Sequence, residues 1–458
     1  MKVIVCGAGQ VGSGIARQLS NEHNDVTVID NSPDLIQQMA DNLDVRTVVG
    51  YASHPDVLER AGAREADMVI AVTFADEVNM VACQVAHSIF NVPTKIARIR
   101  AQSYLRPMWQ DLFTRDHMPI DVIISPELEV GRDVMRRLEM PGALEAIPFG
   151  DTHITFLGIA LEDDCPVVNT PLRQLTELFP DLNAVVTGIQ RGERLFVPDS
   201  EDQMMVGDVA YVVTDTTQSA RVLSLFGHEE QAARRVVIVG AGNIGRHVAA
   251  ELENSHTSVK VKIIEADKEK AVLAADELSR TVVLNGDALD EEVLREAGAS
   301  QAETILALTN DDKVNILSCV MAKQLGCERS VSLINNRGYS GLINPMGVDA
   351  FVNPRATTVS TVLRHVRRGR IRGVSSVQDG KAEVIEAEAL ATSTLVGRPL
   401  RDADLPSGIR LGAVLRGTEV IVPRGDTEIQ AGDRVIIFAM ADEVRRVERM
   451  FRVSIEFF

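Results

Sequence analysis

Long apolar runs are missing from this 458-residue chain. Nothing in it approaches the roughly 18–20 consecutive apolar residues that span a bilayer, and the start MKVIVCGAG passes directly into a strand pattern without the charged and apolar regions of a signal peptide. The chain is therefore expected in the cytoplasm. Cysteine is scarce: Cys6, Cys83, Cys165, Cys319 and Cys327 form no Cys-x-x-Cys pair. None stands near a histidine at metal-ligand spacing, and the nine histidines form no His-Glu-x-x-His pattern, so a metal site has no support. Such free cysteines are expected to be buried as small hydrophobes. Net basic charge is missing as well. A formal charge of −18 repels polyanions on average and excludes a general binder of nucleic acid or anionic lipid.

What is present is an ordinary globular composition, 45% hydrophobic and 24% charged, in a chain long enough for about three domains. Residues 3–14 read VIVCGAGQVGSG and residues 236–247 read VVIVGAGNIGRH. The likeness extends well past the glycines. Asp30 corresponds to Glu265 and Gly50 to Gly286, and HPDVLERAGAREADMVIAVT (54–73) matches DEEVLREAGASQAETILALT (290–309). Short β-branched runs alternate with helical patterns, the mark of βαβ units and a parallel sheet buried on both faces. The strands are VIVCG, VTVID, RTVVG, MVIAVT, TKIARIR and DVIIS in the first copy, and VVIVG, VKIIE, TVVLN, TILALT, SVSLIN and AFVNP in the second.

After about residue 142 the pattern changes. HITFLGIAL, AVVTGIQRGERLFVP and DVAYVVT alternate as strands and PLRQLTELFP reads as a short helix, giving a small α+β module. That module recurs too, since RGERLFVPDSEDQMMVGDVAYVV (191–213) matches RGTEVIVPRGDTEIQAGDRVIIF (416–438). The expected architecture is α/β: two doubly wound parallel-sheet, Rossmann-like domains, each followed by a small α+β domain. The boundaries fall at 1–141, 142–226, 235–372 and 373–458, with 227–234 as a linker or connecting helix.

In a Gly-x-Gly-x-x-Gly turn the first glycine makes the strand-to-helix corner, the second lets backbone approach a pyrophosphate, and the third permits close helix packing. Gly7, Gly9 and Gly12 fill these positions, as do Gly240, Gly242 and Gly245. The turn residues Ala8, Gln10 and Val11, and Ala241, Asn243 and Ile244, complete the two cradles, whose following helices present free N–H groups to a phosphate. Asp30 and Glu265 each close the second strand, about twenty residues on, where a carboxylate accepts ribose hydroxyls and repels a 2′-phosphate. NAD(H), ATP or ADP is therefore expected over NADP(H). The plain alternative for each carboxylate is a solvated strand end.

TFADEVN (73–79) and TNDDKVN (309–315) share Thr, Asp and Asn after the fourth strand, at the topological switch point. Thr73 and Thr309 are placed to bond a phosphate or ribose, whereas Asp76 and Asp312 read as helix caps. Arg98 and Arg100 lie two apart on IARIR, on one face, and an arginine there reaches phosphate oxygens unless the pair merely decorates an edge strand. The second copy has Leu333 and Asn335 instead. The basic helix ends VMRRLE (134–139) and LRHVRRGRIR (363–372) read as solvated faces, the alternative being a docking surface for an acidic partner or membrane headgroups.

An oxidoreductase would need a substrate domain and an acid or base beside the nicotinamide. None of the tyrosines Tyr51, Tyr104, Tyr211 and Tyr339 has a lysine four residues later. Sensing suits these residues better than turnover. The duplicated GAGQVG and GAGNIG turns, Asp30 and Glu265, the Gly-Asp-Ala at 286–288, the TxxDxxN segments and the small RG-VP-GD modules together resemble tandem RCK units. In length and order, over nearly the whole chain, the sequence is similar to the TrkA-type cytoplasmic regulatory subunits of bacterial Trk potassium-uptake systems.

That resemblance implies a non-enzymatic protein, peripheral on the inner face of the membrane, that binds NAD(H) and ATP/ADP. It implies a potassium-translocating membrane partner and self-association into a dimer or tetramer ring. The implied site comprises both glycine turns with Asp30, Thr73, Phe74, Arg98, Glu265 and Thr309. A regulator of another cation transporter or antiporter is the nearest alternative, and an NAD-dependent oxidoreductase a more distant one. Two departures break the symmetry. Tyr51 stands where the second copy has Asp287, placed to stack on a base, and the second copy lacks both arginines. The first cradle is therefore expected to bind the more highly charged nucleotide more tightly.

Overall fold

A computed structural model describes residues 1–230, 232–366 and 371–451. These form two compact units, one combining Met1–Val134 with Arg234–His365 and the other combining Met135–Ala233 with Val366 onward. The first large domain runs β1 (Lys2–Cys6), α1 (Gln10–Asn21), β2 (Asp25–Asp30), α2 (Pro33–Asn42), β3 (Arg46–Val49), α3 (Pro55–Arg60), β4 (Met68–Ala71), α4 (Asp76–Ser88), β5 (Thr94–Arg98), β6 (Val122–Ile124) and α5 (Pro126–Glu139). Its six strands are all parallel in the order β3-β2-β1-β4-β5-β6. The order reverses between β1 and β4. Every residue of β4 and four of the five in β1 are buried, as strands covered on both faces by helices must be.

The first small domain contains β7 (Ala143–Phe149), β8 (Ile154–Ala160), α6 (Leu172–Leu178), β9 (Ala184–Arg191), β10 (Arg194–Phe196), β11 (Val209–Asp215) and α7 (Ser219–Leu225). The second large domain repeats the first with β12 (Arg235–Val239), α8 (Asn243–Ser255), β13 (Lys260–Glu265), α9 (Lys268–Glu277), β14 (Val282–Asn285), α10 (Glu291–Ala297), β15 (Thr304–Ala307), α11 (Asp312–Leu325), β16 (Arg329–Leu333), β17 (Ala350–Val352) and α12 (Pro354–Val366). Its strand order, β14-β13-β12-β15-β16-β17, is the same. The second small domain holds β18 (Ile371–Val377), β19 (Ala382–Glu388), β20 (Ile409–Arg416), β21 (Glu419–Ile421), β22 (Arg434–Met440) and α13 (Val444–Met450).

Both small sheets are antiparallel, in the orders β10-β9-β11-β8-β7 and β18-β19-β22-β20-β21. Strands β7 and β18 escape the sequence pattern because they are edge strands. β7 carries Pro148, tolerated only where no ladder donor is needed, and both strands shift register through a bulge that breaks alternation. Ile371 and Arg372, which the sequence reading assigns to the large domain, already belong to β18. The repeated RG and GD residues have a structural use. Arg191 forks onto Asp208 at 2.9 and 2.7 Å, and Arg416 onto Asp433 at the same distances, with both carboxylates buried. Removing either arginine would leave a buried carboxylate without its partner and so destabilise the small domain.

The five cysteines are buried and free, with Cys6 pushed up to about 12 by burial. The segment 227–234 forms no helix over its described residues, and through Ala233 it belongs to the small-domain unit. Its anchor is His228, whose Nε2 donates to Ala160 O at 2.9 Å while Nδ1 lies 3.1 Å from Glu230. Burial opposes the charged imidazole, but these two bonds outweigh it and raise the titration above the usual histidine range. A raised folded value means stability that is complete below about pH 6.5 and is lost as pH rises through the folded value. Thermal midpoints from pH 5.5 to 8.5 are expected to fall more steeply in the natural chain than in His228→Gln. Parallel curves would contradict this.

Of the two basic helix ends, Arg136 and Arg137 are half-buried and Arg137 donates to Leu144 O, so that end of α5 is no freely solvated face. Arg367, Arg368 and Arg370 lie outside the described residues.

Candidate functional site: two glycine cradles

Each cradle starts from a backbone constraint. Gly7 has φ of 111° and Gly240 of 102°, conformations that side-chain-bearing residues avoid. A Cβ on Gly7 would also meet the Thr73 amide at 3.1 Å. The turn thus packs on the end of β4. A Cβ on Gly12 would fall 1.8 Å from Gly7 O, and one on Gly245 2.0 Å from Gly240 O, so the third glycine is required by the fold. The middle glycine differs. A Cβ on Gly9 or Gly242 would have no atom within 4 Å, leaving this side of the turn open to an approaching group.

Gly9 and Gly242 are also the N-caps of α1 and α8, and neither offers a side chain to the first-turn N–H groups. Those helices carry no acid in their first turn, whereas α2, α3, α4, α9, α10 and α11 all do. The positive ends of α1 and α8 thus have neither a side-chain cap nor a first-turn acid, a setting that suits an anion at the amides of Gln10 and Val11, and of Asn243 and Ile244.

Asp30 does more than stand at a strand end. Its Oδ2 accepts the Ala8 N–H at 2.7 Å and its Oδ1 the Ser32 N–H at 2.9 Å. Glu265 makes the same pair of bonds, with Ala241 at 2.6 Å and Asp267 at 2.9 Å. Each carboxylate braces the glycine turn and retains a lone pair on each oxygen for a ribose hydroxyl.

Thr73 and Thr309 sit beside the cradles, but their hydroxyl protons are committed. Thr73 Oγ1 lies 2.7 Å from Asn79 Oδ1, and Thr309 Oγ1 2.7 Å from Asn315 Oδ1. They remain acceptors, suited to a ribose hydroxyl; donation to a phosphate requires giving up the asparagine. Asn79 and Asn315 are fully buried locks that the sequence reading left without a role, although their repetition in TxxDxxN was a visible signal. Asn79 Nδ2 also donates to Thr73 O and Arg98 O, and Asn315 Nδ2 to Thr309 O and Leu333 O.

The capping role expected of Asp76 and Asp312 is overturned. Asp76 accepts the amides of Arg100 and Ala101, and Asp312 those of Asn335 and Asn336, tying each helix to the chain beyond the fifth strand. The cap of α11 is Asp311, and α4 has no side-chain cap. Both carboxylates are buried where the orphan amides lie across the crevice, which sequence spacing does not reveal.

Arg98 and Arg100 are separated in use. β5 is a central strand that ends at Arg98, so neither residue decorates an edge strand. Arg100 lies beyond it with Nε 2.9 Å from buried Glu127, and its guanidinium 5.9 Å from the ring of Phe74, which is 84% exposed. Arg98 donates to Thr73 O at 2.7 Å and its buried Nε has no partner. Burial and the neighbouring Arg100 charge push its titration down, and the Glu127 and Asp76 carboxylates offset this only in part. Leu333 is buried in the second copy, and Asn335 is held by Asp312, so no such cation stands there. Tyr51 is exposed and packs on His54 at 5.3 Å.

A doubly wound sheet ending in a braced glycine cradle, followed by a five-stranded antiparallel sheet and then repeated, defines a tandem dinucleotide-fold protein with paired small domains. Family comparison gives the same division. The TrkA-N domain matches residues 3–126 and 236–354, and the TrkA-C domain 156–227 and 384–452. The chain is 58% identical to the Trk system potassium uptake protein TrkA of Azorhizobium caulinodans, and 41% identical to that of Halomonas elongata, over the full length of each. It belongs to the TrkA family of Trk potassium-uptake proteins. Among solved structures, the GsuK channel bound to NAD shares the fold at TM-score 0.61 and 18% identity, with 98% of this chain and 78% of that one covered.

Proposed function

We propose that this chain is the regulatory subunit that gates a potassium-translocating membrane protein, binding NAD(H) and ATP or ADP in its two cradles without turning them over. The observation that carries this reading is the same open, uncapped and carboxylate-braced turn built twice, with Arg98, which has no ion pair among the described residues, beside only one. Two different pockets on one chain suit two nucleotide inputs. The residues fit an adenine dinucleotide: the helix amides suit the pyrophosphate, and the carboxylates suit an unphosphorylated ribose, which favours NAD(H) over NADP(H).

The relatives' names supply the potassium-uptake context, and a GsuK structure with ADP extends the ligand class of the fold to adenine nucleotides. No described helix is long and apolar enough to cross a membrane; in this reading translocation belongs to a partner on which the chain docks peripherally. The chain would assemble there as a dimer or tetramer ring. Gating demands that each nucleotide prefer one ring shape, and tenfold preference corresponds to about 1.4 kcal/mol.

Calorimetry of the full chain with NADH, ATP and ADP tests the reading first. Binding of at least two of them, with no steady NADH oxidation against a panel of small substrates, is expected. Failure of all three at millimolar concentration would overturn it, as would sustained turnover. Membrane co-purification in the presence of each nucleotide then tests the potassium-translocating partner.

A further inference from the structure

The two large domains belong to one compact unit, and their contacts are unequal in a patterned way. Counting from the third glycine, Gly14 of α1 corresponds to His247 of α8; counting from the helix-starting prolines, Gly131 of α5 corresponds to Val359 of α12. Gly14 faces Val359, since a Cβ on Gly14 would fall 3.0 Å from a Val359 methyl. Gly131 faces His247, since a Cβ there would fall 2.4 Å from the imidazole. Each contact is small against large. The first half supplies both glycines and the second half both bulky residues.

The small-domain unit holds a second set of glycine contacts between the halves, again with side chains of unequal size. Val213 on β11 and Phe438 on β22 are equivalent positions of the repeat, as are Gly188 on β9 and Ala413 on β20. The Phe438 ring lies on Gly188, where a Cβ would be 2.6 Å away, and Val213 lies on Gly412 at 2.5 Å. Phe438 also stacks on Phe156 and Tyr211 at 6.4 and 6.1 Å. Each half here seats a side chain on a glycine of the other, and the larger of the two, Phe438, comes from the second half.

We propose that the halves are keyed by side-chain size, so that a first half accepts a second half, in the same or another chain, and excludes a copy of itself. Two first halves would oppose Gly14 to Gly131 and Val213 to Gly188, leaving voids. Two second halves would drive His247 into Val359 and Phe438 into Ala413. Interiors tolerate neither gaps nor overlap.

A double-mutant cycle in the full chain tests the keying. Gly131→His and His247→Gly are each expected to lower the thermal midpoint of the chain by roughly 5 °C, and the double variant, which only moves the imidazole across the contact, to regain most of the loss. Losses that simply add would overturn the proposal. If Gly131→His fails to fold, Gly131→Ala with and without His247→Gly gives the same discrimination. Exclusion is tested by Gly14→His with Val359→Gly, which gives both halves the same key and lock. This variant is expected to keep its midpoint but to grow in mass with concentration by light scattering, because each half now accepts itself. A mass distribution identical to that of the natural chain would sink the exclusion.

Discussion

Gly9→Val is expected to leave the chain folded while weakening nucleotide binding in the first cradle about 100-fold or more, and Gly242→Val to do the same in the second. The middle glycines have extended-type backbone that valine adopts, and apart from their chain neighbours no described atom lies within 4 Å of the added Cβ. The folding cost is limited to replacing glycine at an N-cap, at most about 1 kcal/mol. The methyls instead occupy the path by which a pyrophosphate reaches the helix amides. Gly12→Ala is the contrasting control. Its Cβ would overlap Gly7 O at 1.8 Å, so a loss of about 3 kcal/mol or more of stability is expected. Thermal melting with calorimetry separates the outcomes; a destabilised Gly9→Val chain, or one that binds normally, would show that the turn is not a phosphate cradle.

Arg98→Ala is expected to weaken ATP or NADH in the first cradle roughly 10- to 100-fold, the value of one or two charge-assisted hydrogen bonds. The second cradle should be unaffected, because Leu333 holds the equivalent place. Measuring in a Gly242→Val background isolates the first cradle. Arg100→Ala should cost less, since that guanidinium already serves Glu127 at 2.9 Å. The Arg98 contribution should shrink as salt rises if the site is as open as its exposed neighbour Phe74. Equal losses at both cradles would contradict the asymmetry.

Legibility in the sequence follows the range of the interaction. The parallel strands announce themselves because burial on both faces demands continuous β-branched runs, and the third glycines because a local turn leaves no room for a Cβ. Edge strands β7 and β18 have one unpaired side and bulges, so no period marks them. Asp76 read as a cap because an acid at a helix start usually is one; only the fold brings the Arg100 and Ala101 amides to it instead. Asn79 carried a repeat signal but no local reason for it, since its partners Thr73 and Arg98 converge from two different strands.

The amino-acid order by itself determined the duplication, the six-strand domains, the cradles and the acids that close their second strands, because each rests on contacts within a turn or a βαβ unit. Tertiary structure alone decided which large domain packs with which, that Asp30 and Glu265 brace the turns they face, and that Arg100 rather than Arg98 forms an ion pair among the described residues. These depend on where distant segments come to rest against one another, and burial there, not spacing along the chain, sets which polar group finds a partner.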